Sequence, residues 1–262
     1  MQVRASAVAG MFYPGEPSHL EQLLERFFSG KTGRSGVKGI VSPHAGYVYS
    51  GEIAATAFAS ISPQFSGTFV VIGPSHRGYN TCVSEIPWET PLGVVDNDTE
   101  LVRAMNIDVD EVSQREEHSI EVQVPFIKYR FPRARIAPVM MGSQNPDDAQ
   151  ELAGQVLAAA RRTRREIVPV ASSDFSHYVP AESARAKDLY AIEALKNLDV
   201  PEFYRRIRER DVSACGYGPI AAVALVCGEM GARRGELLKY ATSGDKTGDD
   251  REVVGYAAIA VI

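Results

Sequence analysis

The sequence predicts one α/β domain spanning residues 1–262, built as a three-layer α/β/α sandwich around a largely parallel or mixed sheet. Three observations predict it. Apolar runs of strand length alternate with amphipathic stretches of helix length almost from end to end, the signature of a sheet layered between helices. No internal repeat, low-complexity tract or Pro/Ser-rich linker interrupts that alternation. The chain has 262 residues, 45% hydrophobic and 23% charged, an ordinary globular composition. A chain of that size buries roughly 70–75% of its unfolded surface and needs no disulfide or structural metal.

The elements follow in order. Ser18 and Glu21 form a capping box ahead of Leu20, Leu23, Leu24, Phe27 and Phe28, a helical stripe. A strand at 37–41 ends in Ser42-Pro43, and a helix over 51–60 follows with Ser50 as its cap. A second strand at 68–72 ends in Gly73-Pro74-Ser75, and Cys82 falls in another short strand. In 117–131 both periods compete; a helix is favoured, with Pro125 as a kink or break. Asn145-Pro146-Asp147-Asp148 opens a helix running to about residue 162, with a cap, a proline in the first turn and acids at the positive dipole end. Further strands fall at 136–141, 167–171, 237–241 and 253–262, and helices at 181–197, 201–209 and 218–230. The segment 244–250 lacks phosphate-loop spacing and reads as a surface hairpin.

Composition also excludes function classes. A net charge of −5 and a pI near 5.6 give no basic footprint for nucleic acid. The longest nearly uniform apolar stretch, 220–227, is far short of the ~20 residues of a membrane helix. The first residues carry no leader pattern, since Gly10 and Pro14 interrupt any apolar run. Three cysteines, Cys82, Cys215 and Cys227, form no CxxC pair and no closed disulfide framework. The expectation is a cytoplasmic protein with reduced thiols. The basic run at 161–165 reads as a solvated helix end.

Three apolar strand runs end alike, in small residues followed by a histidine: Ser42-Pro43-His44, Gly73-Pro74-Ser75-His76 and Ser172-Ser173-Asp174-Phe175-Ser176-His177. Ligands of open α/β sheets bind outside the carboxyl ends of parallel strands. Parallel pairing would therefore put His44, His76 and His177 along one edge, with Asp174 among them. His118, in Arg115-Glu116-Glu117-His118-Ser119, either turns into that cleft or packs structurally, and Glu117 beside it is a lesser candidate. His19 sits on the first helix and reads as surface or packing. Cys215 lies in a glycine-rich turn before an apolar helix, where the helix dipole favours thiolate. Cys227 and Cys82 read as packing. Two imidazoles with one anionic ligand suit zinc, iron or copper. The competing arrangement is a Cys–His nucleophilic pair, Cys215 with His177 or His76.

Six ordered segments carry a family resemblance: residues 4–14 (RASAVAGMFYP), SPHAGYVYSG from Ser42, GPSHRG from Gly73, REEHSIEVQVPF from Arg115, SSDFSHY from Ser172 and ACGYGP from Ala214. Together they resemble the Memo (mediator of cell motility) family over essentially the whole chain. The resemblance implies a fold similar to the class III extradiol dioxygenases, non-haem iron enzymes with an α/β core. It implies metal ligation by His44, His76 and Cys215, with Cys215 standing where the dioxygenases use a carboxylate. Asp174 and His177 match polar residues beside the site, and His177 matches the acid–base histidine; with His118 they are the candidate catalytic residues. Animal members are associated with phosphotyrosine-containing peptides and with iron or copper handling.

The expected function is a metal-binding protein, iron first and copper or zinc next, with a redox or oxygenase-like activity on an unidentified substrate. Two alternatives stay open. One is a non-catalytic module that binds a peptide or small anionic ligand in the same pocket. The other is a metal-dependent hydrolase with a bound water as nucleophile. The expected partner is a small molecule or peptide in the pocket, with neither nucleic acid nor membrane involved.

Overall fold

The computed structural model describes residues 2–262. In chain order the first half contains α1 (Pro17–Phe28), β1 (Gly39–Ser42), α2 (Tyr47–Ala59), β2 (Thr68–Pro74) and β3 (Cys82–Val83). The small pair β4 (Trp88–Thr90) and β5 (Gly93–Val95) precedes α3 (Thr99–Met105), α4 (Glu111–Gln114), α5 (His118–Glu121) and α6 (Val124–Arg130). Then come β6 (Arg135–Met141), α7 (Pro146–Thr163), β7 (Ile167–Ser172), β8 (His177–Val179), α8 (Ala181–Leu195) and α9 (Val200–Glu209). The chain finishes with α10 (Tyr217–Glu229), β9 (Gly235–Thr242), the single turn α11 (Gly244–Thr247) and β10 (Val253–Val261).

The sheet is mixed around a parallel centre. Its order is β3-β6-β2-β7-β1-β10-β8, with β9 also on β10. Strands β6, β2, β7 and β1 run parallel, while β3 and β10 flank them antiparallel. Alternate side chains of the central strands enter two separate cores, as the two-residue strand period requires. Val70, Ile72, Val41 and Ala171 pack with Leu152, Val156, Ile220 and Val223 of α7 and α10. Phe69, Val71, Ile40 and Val170 pack with Leu20, Leu24, Phe58 and Phe126 of α1, α2 and α6. Each of the larger aliphatic and aromatic side chains contributes about 1.5–3 kcal/mol on full burial, so both faces hold the sheet. This is the single α/β domain that the alternation predicts.

Several local readings shift. Pro17 occupies the first turn of α1 and Glu16 the cap position without a side-chain bond; proline's fixed φ starts the helix ahead of Ser18. Helix α2 starts at Tyr47, not after Ser50, because Tyr47 and Ser50 are both buried and the Ser50 hydroxyl donates to the Ala45 carbonyl at 2.9 Å. The segment 117–131 divides into α5 and α6, with Pro125 in the first turn of α6, where its missing N–H leaves no helix bond unmade. Asn145 caps α7 as expected, accepting from the Asp148 N–H at 2.9 Å. Residues 244–250 join antiparallel β9 and β10 through α11. Cys82 and Cys227 are buried and His19 is exposed.

Candidate metal centre

Strand register builds the site. Ile72 of β2 is level with Ala171 of β7, and Ser42 of β1 is level with Ser172. His44, His76 and Asp174 each follow their strand's last residue by two positions, so the three loops open side by side. Helix α5 joins them because Gly73 has no side chain: a Cβ there would collide with Ser119 Oγ and Ile120. The Ser119 hydroxyl instead donates to the Pro74 carbonyl at 3.0 Å. The turn carrying Cys215 reaches the same edge through Gly216, whose N–H donates to Ser173 Oγ at 2.9 Å.

A cavity of about 600 Å³ lies at this edge, lined by His44, His76, His118, Asp174, His177 and Cys215 together with Phe12, Tyr49, Tyr178 and Tyr256. All six candidate residues therefore face one space. Within it, His44, His76 and His118 each offer a ligand atom, all lying within 4.8 Å of one another. His44 stands edge-on to His76 and His118, with ring centroids 5.2 and 5.5 Å away. His76 and His118 stack at 4.4 Å. Burial and the neighbouring imidazoles hold His44 well below the ordinary histidine pKa, and burial followed by His76 does the same, less strongly, for His118. Both are neutral at physiological pH, the form that binds metal.

The tautomer of His44 follows from its partner. Ser172 Oγ lies 2.5 Å from the Ser119 carbonyl, 2.8 Å from the Gln123 amide nitrogen and 2.9 Å from His44 Nδ1. The Gln123 amide is oriented by the Pro43 carbonyl, to which its nitrogen also donates at 2.9 Å. The hydroxyl has one proton, and the Ser119 carbonyl takes it. His44 Nδ1 must then donate, which leaves Nε2 with its lone pair toward the cavity.

Cys215 meets that lone pair: its Sγ lies 3.1 Å from His44 Nε2 and accepts the Asp174 N–H at 3.2 Å. Burial, then the Asp174 carboxylate, push the thiol well above its ordinary pKa. The dipole argument for a thiolate fails here, because desolvation opposes charge more strongly than the start of α10 favours it. Burial likewise raises Asp174, against the hydrogen bond its carboxylate accepts from His44 N–H at 2.8 Å. Asp174 thus anchors the His44 backbone. His177 is held by Ser213, whose carbonyl accepts from His177 Nδ1 at 2.9 Å and whose hydroxyl accepts from His177 N–H at 2.8 Å. That bond occupies Nδ1 and leaves Nε2, among the described residues, as the ring nitrogen without a protein partner at the cavity wall.

Glu117 has a larger place than its sequence context suggests. It is 1% exposed and hydrogen-bonds to His76 through both carboxylate oxygens. Burial pushes its pKa up, but the His76 ring and the N–H groups of His76 and Ser119 outweigh that and hold it at about 2. Ser172, Ser213 and Gln123 carried no sequence signal of this kind; the one available cue was that Ser172 ends a strand beside Asp174.

Residues 4–260 match the family described as Memo-like protein. Among curated proteins, a MEMO1 family protein of Methanococcoides burtonii is 47% identical, covering 99% of this chain and all of the relative. Another from Archaeoglobus fulgidus is 44% identical, over 98% of each chain. One from Nitrosopumilus maritimus is 38% identical, covering 99% of this chain and all of the relative.

Proposed function

This chain belongs to the Memo family, and on that premise we propose that it is a metal-binding protein whose ion sits among His44, His76 and His118, with redox or oxygenase-like activity. The observation that carries the reading is the convergence of three imidazole ligand atoms within 4.8 Å at the wall of a cavity large enough for a small substrate. Nitrogen ligands with a thiol in reach suit iron, copper or zinc over magnesium or calcium. Iron is the first choice. When bound, such an ion supplies Lewis acidity and, for iron or copper, one-electron chemistry.

The chain's own groups then divide the work. With an ion bound, His44 Nε2 would ligate it in place of accepting from Cys215, and Cys215 would add its sulfur only as thiolate, its proton passing to solvent. His177 Nε2 holds or moves a proton at the substrate, since Ser213 fixes the opposite ring nitrogen. Phe12, Tyr49 and Tyr178 line the approach and limit water. A second reading, a module that binds a peptide or small anion without chemistry, draws on Tyr178, an aromatic ring 74% exposed at the cavity. The Cys–His nucleophile is disfavoured because desolvation and the Asp174 carboxylate keep the half-buried thiol protonated. Among the described residues no helix is long and apolar enough to cross a membrane; we place the protein in the cytoplasm, where its free thiols stay reduced.

Anaerobic purification with elemental analysis tests this. The expected result is about one ion per chain, lost in His44→Ala, His76→Ala and His118→Ala. No uptake of Fe(II), Cu(II) or Zn(II) by the wild type would overturn it and favour the binding module.

A further inference from the structure

We propose that Glu117 is the positioning residue of this centre: its carboxylate fixes the proton of His76 on Nδ1 and so turns the bare Nε2 toward the ion. The inference rests on the metal-binding reading of the three histidines and adds what prepares one of them. Both carboxylate oxygens are committed to donors. Oε1 accepts from His76 Nδ1 at 2.8 Å and from the Ser119 N–H at 2.9 Å, and Oε2 accepts from the His76 N–H at 2.8 Å. Oε1 also lies 3.6 Å from His118 Nδ1, too long for a hydrogen bond. The group therefore faces away from the ion and touches it only through a histidine, the arrangement in which an outer carboxylate sets a ligand's tautomer.

Only an ionised carboxylate meets these demands. The two backbone N–H groups are donors whatever the side chain does. In Glu117→Gln the new amide must place its NH₂ on one side or the other. Set against the His76 N–H, it leaves two donors facing each other in a buried site. Set against Ser119 N–H and His76 Nδ1, it creates one such clash and makes Nδ1 an acceptor, which moves the ring proton to Nε2 and blocks the ligand atom. The second placement costs metal affinity without removing a ligand, while the first keeps the proton on Nδ1 and leaves a buried pair of facing donors. The backbone around Glu117 is held separately, since Arg4 Nη2 donates to the Glu117 carbonyl at 2.9 Å, so the substitution acts on the carboxylate alone.

The test uses the full chain. Long-range ¹H–¹⁵N spectra of the metal-free wild type, at about pH 8.5, well above the ordinary imidazole pKa, should show His76 as the Nδ1–H tautomer. Glu117→Gln should move population to Nε2–H and weaken Zn(II) binding by roughly 10–100-fold, and Glu117→Asp should restore part of both. A wild-type His76 protonated on Nε2 overturns the inference even if the glutamine variant does not fold. So does a folded glutamine variant with unchanged tautomer and unchanged affinity. Failure of the wild type to bind Zn(II) would remove the metal reading while leaving the tautomer result to stand or fall by itself.

Discussion

The Sγ of Cys215 lies 3.1 Å from Nε2 of His44, so the thiol donates to the very lone pair that a metal ion would occupy. Metal uptake must break that hydrogen bond and release the thiol proton if sulfur joins the ion, because thiolate is the binding form.

Metal should therefore change the chemistry of one cysteine only. Cys215 is expected to alkylate slowly without metal, because its half-buried thiol is held protonated, and more slowly still with Zn(II) bound. Cys82 and Cys227 are both buried, with thiols raised by burial, and should be slow in both states. Mass spectrometry after timed iodoacetamide labelling measures this. Equal Cys215 rates with and without metal, combined with wild-type Zn(II) affinity in Cys215→Ser, would show that sulfur is not a ligand.

His177 should separate proton transfer from metal binding. Its Nδ1 is tied to Ser213, and it lies outside the cluster of three imidazoles. His177→Ala is expected to keep metal stoichiometry within about twofold while lowering any turnover by roughly 10²–10⁴. Metal loss equal to that of His44→Ala would instead make His177 a ligand.

Glu117 should leave a signature in acid. Its native pKa of about 2 lies below the ordinary glutamate value of about 4.3. A depressed carboxyl stabilises the fold fully above its unfolded pKa and loses that contribution as pH falls toward the native value. The shift corresponds to about 3 kcal/mol. Urea unfolding of the metal-free protein should show the gap between wild type and Glu117→Gln narrowing from about pH 4.3 down to about 2. A gap that stays constant across that window would contradict it.

The N-terminal segment is fastened by a buried ion pair, Arg4 Nη1 to Glu121 Oε2 at 2.6 Å, with side chains 2% and 1% exposed. Glu121 also accepts from Tyr13 OH and from the N–H groups of Ala7 and Val8. Arg4 lies over Trp88 at 4.0 Å and donates to the Gln114 carbonyl. Removing either partner strands a buried charge, so Arg4→Met or Glu121→Gln should each cost about 3–5 kcal/mol. Chemical denaturation measures this, and the double variant should cost less than the two singles together. Losses under about 1 kcal/mol would mean the pair is not buried in solution.

By itself the sequence determined the fold class, the cap at Asn145 and the three strand ends that carry His44, His76 and Asp174. Each is a local signal, readable from hydrophobic period or from a few adjacent residue types. Local signals reach about one helical turn or one strand. The start of α2 at Tyr47 lay beyond them, because the burial of Tyr47 against Phe126 outweighs the Ser50 cap. Tertiary structure alone decided that His118 stacks on His76, since the close approach of α5 to β2 depends on the bare Gly73, far upstream in the chain. It also decided that Glu117 holds His76, Ser213 holds His177 and Asp174 holds the His44 backbone. The charge of Cys215 was decided in the same way: the sequence offers a helix dipole, but only the assembled cavity removes the water a thiolate needs, and desolvation is the larger effect.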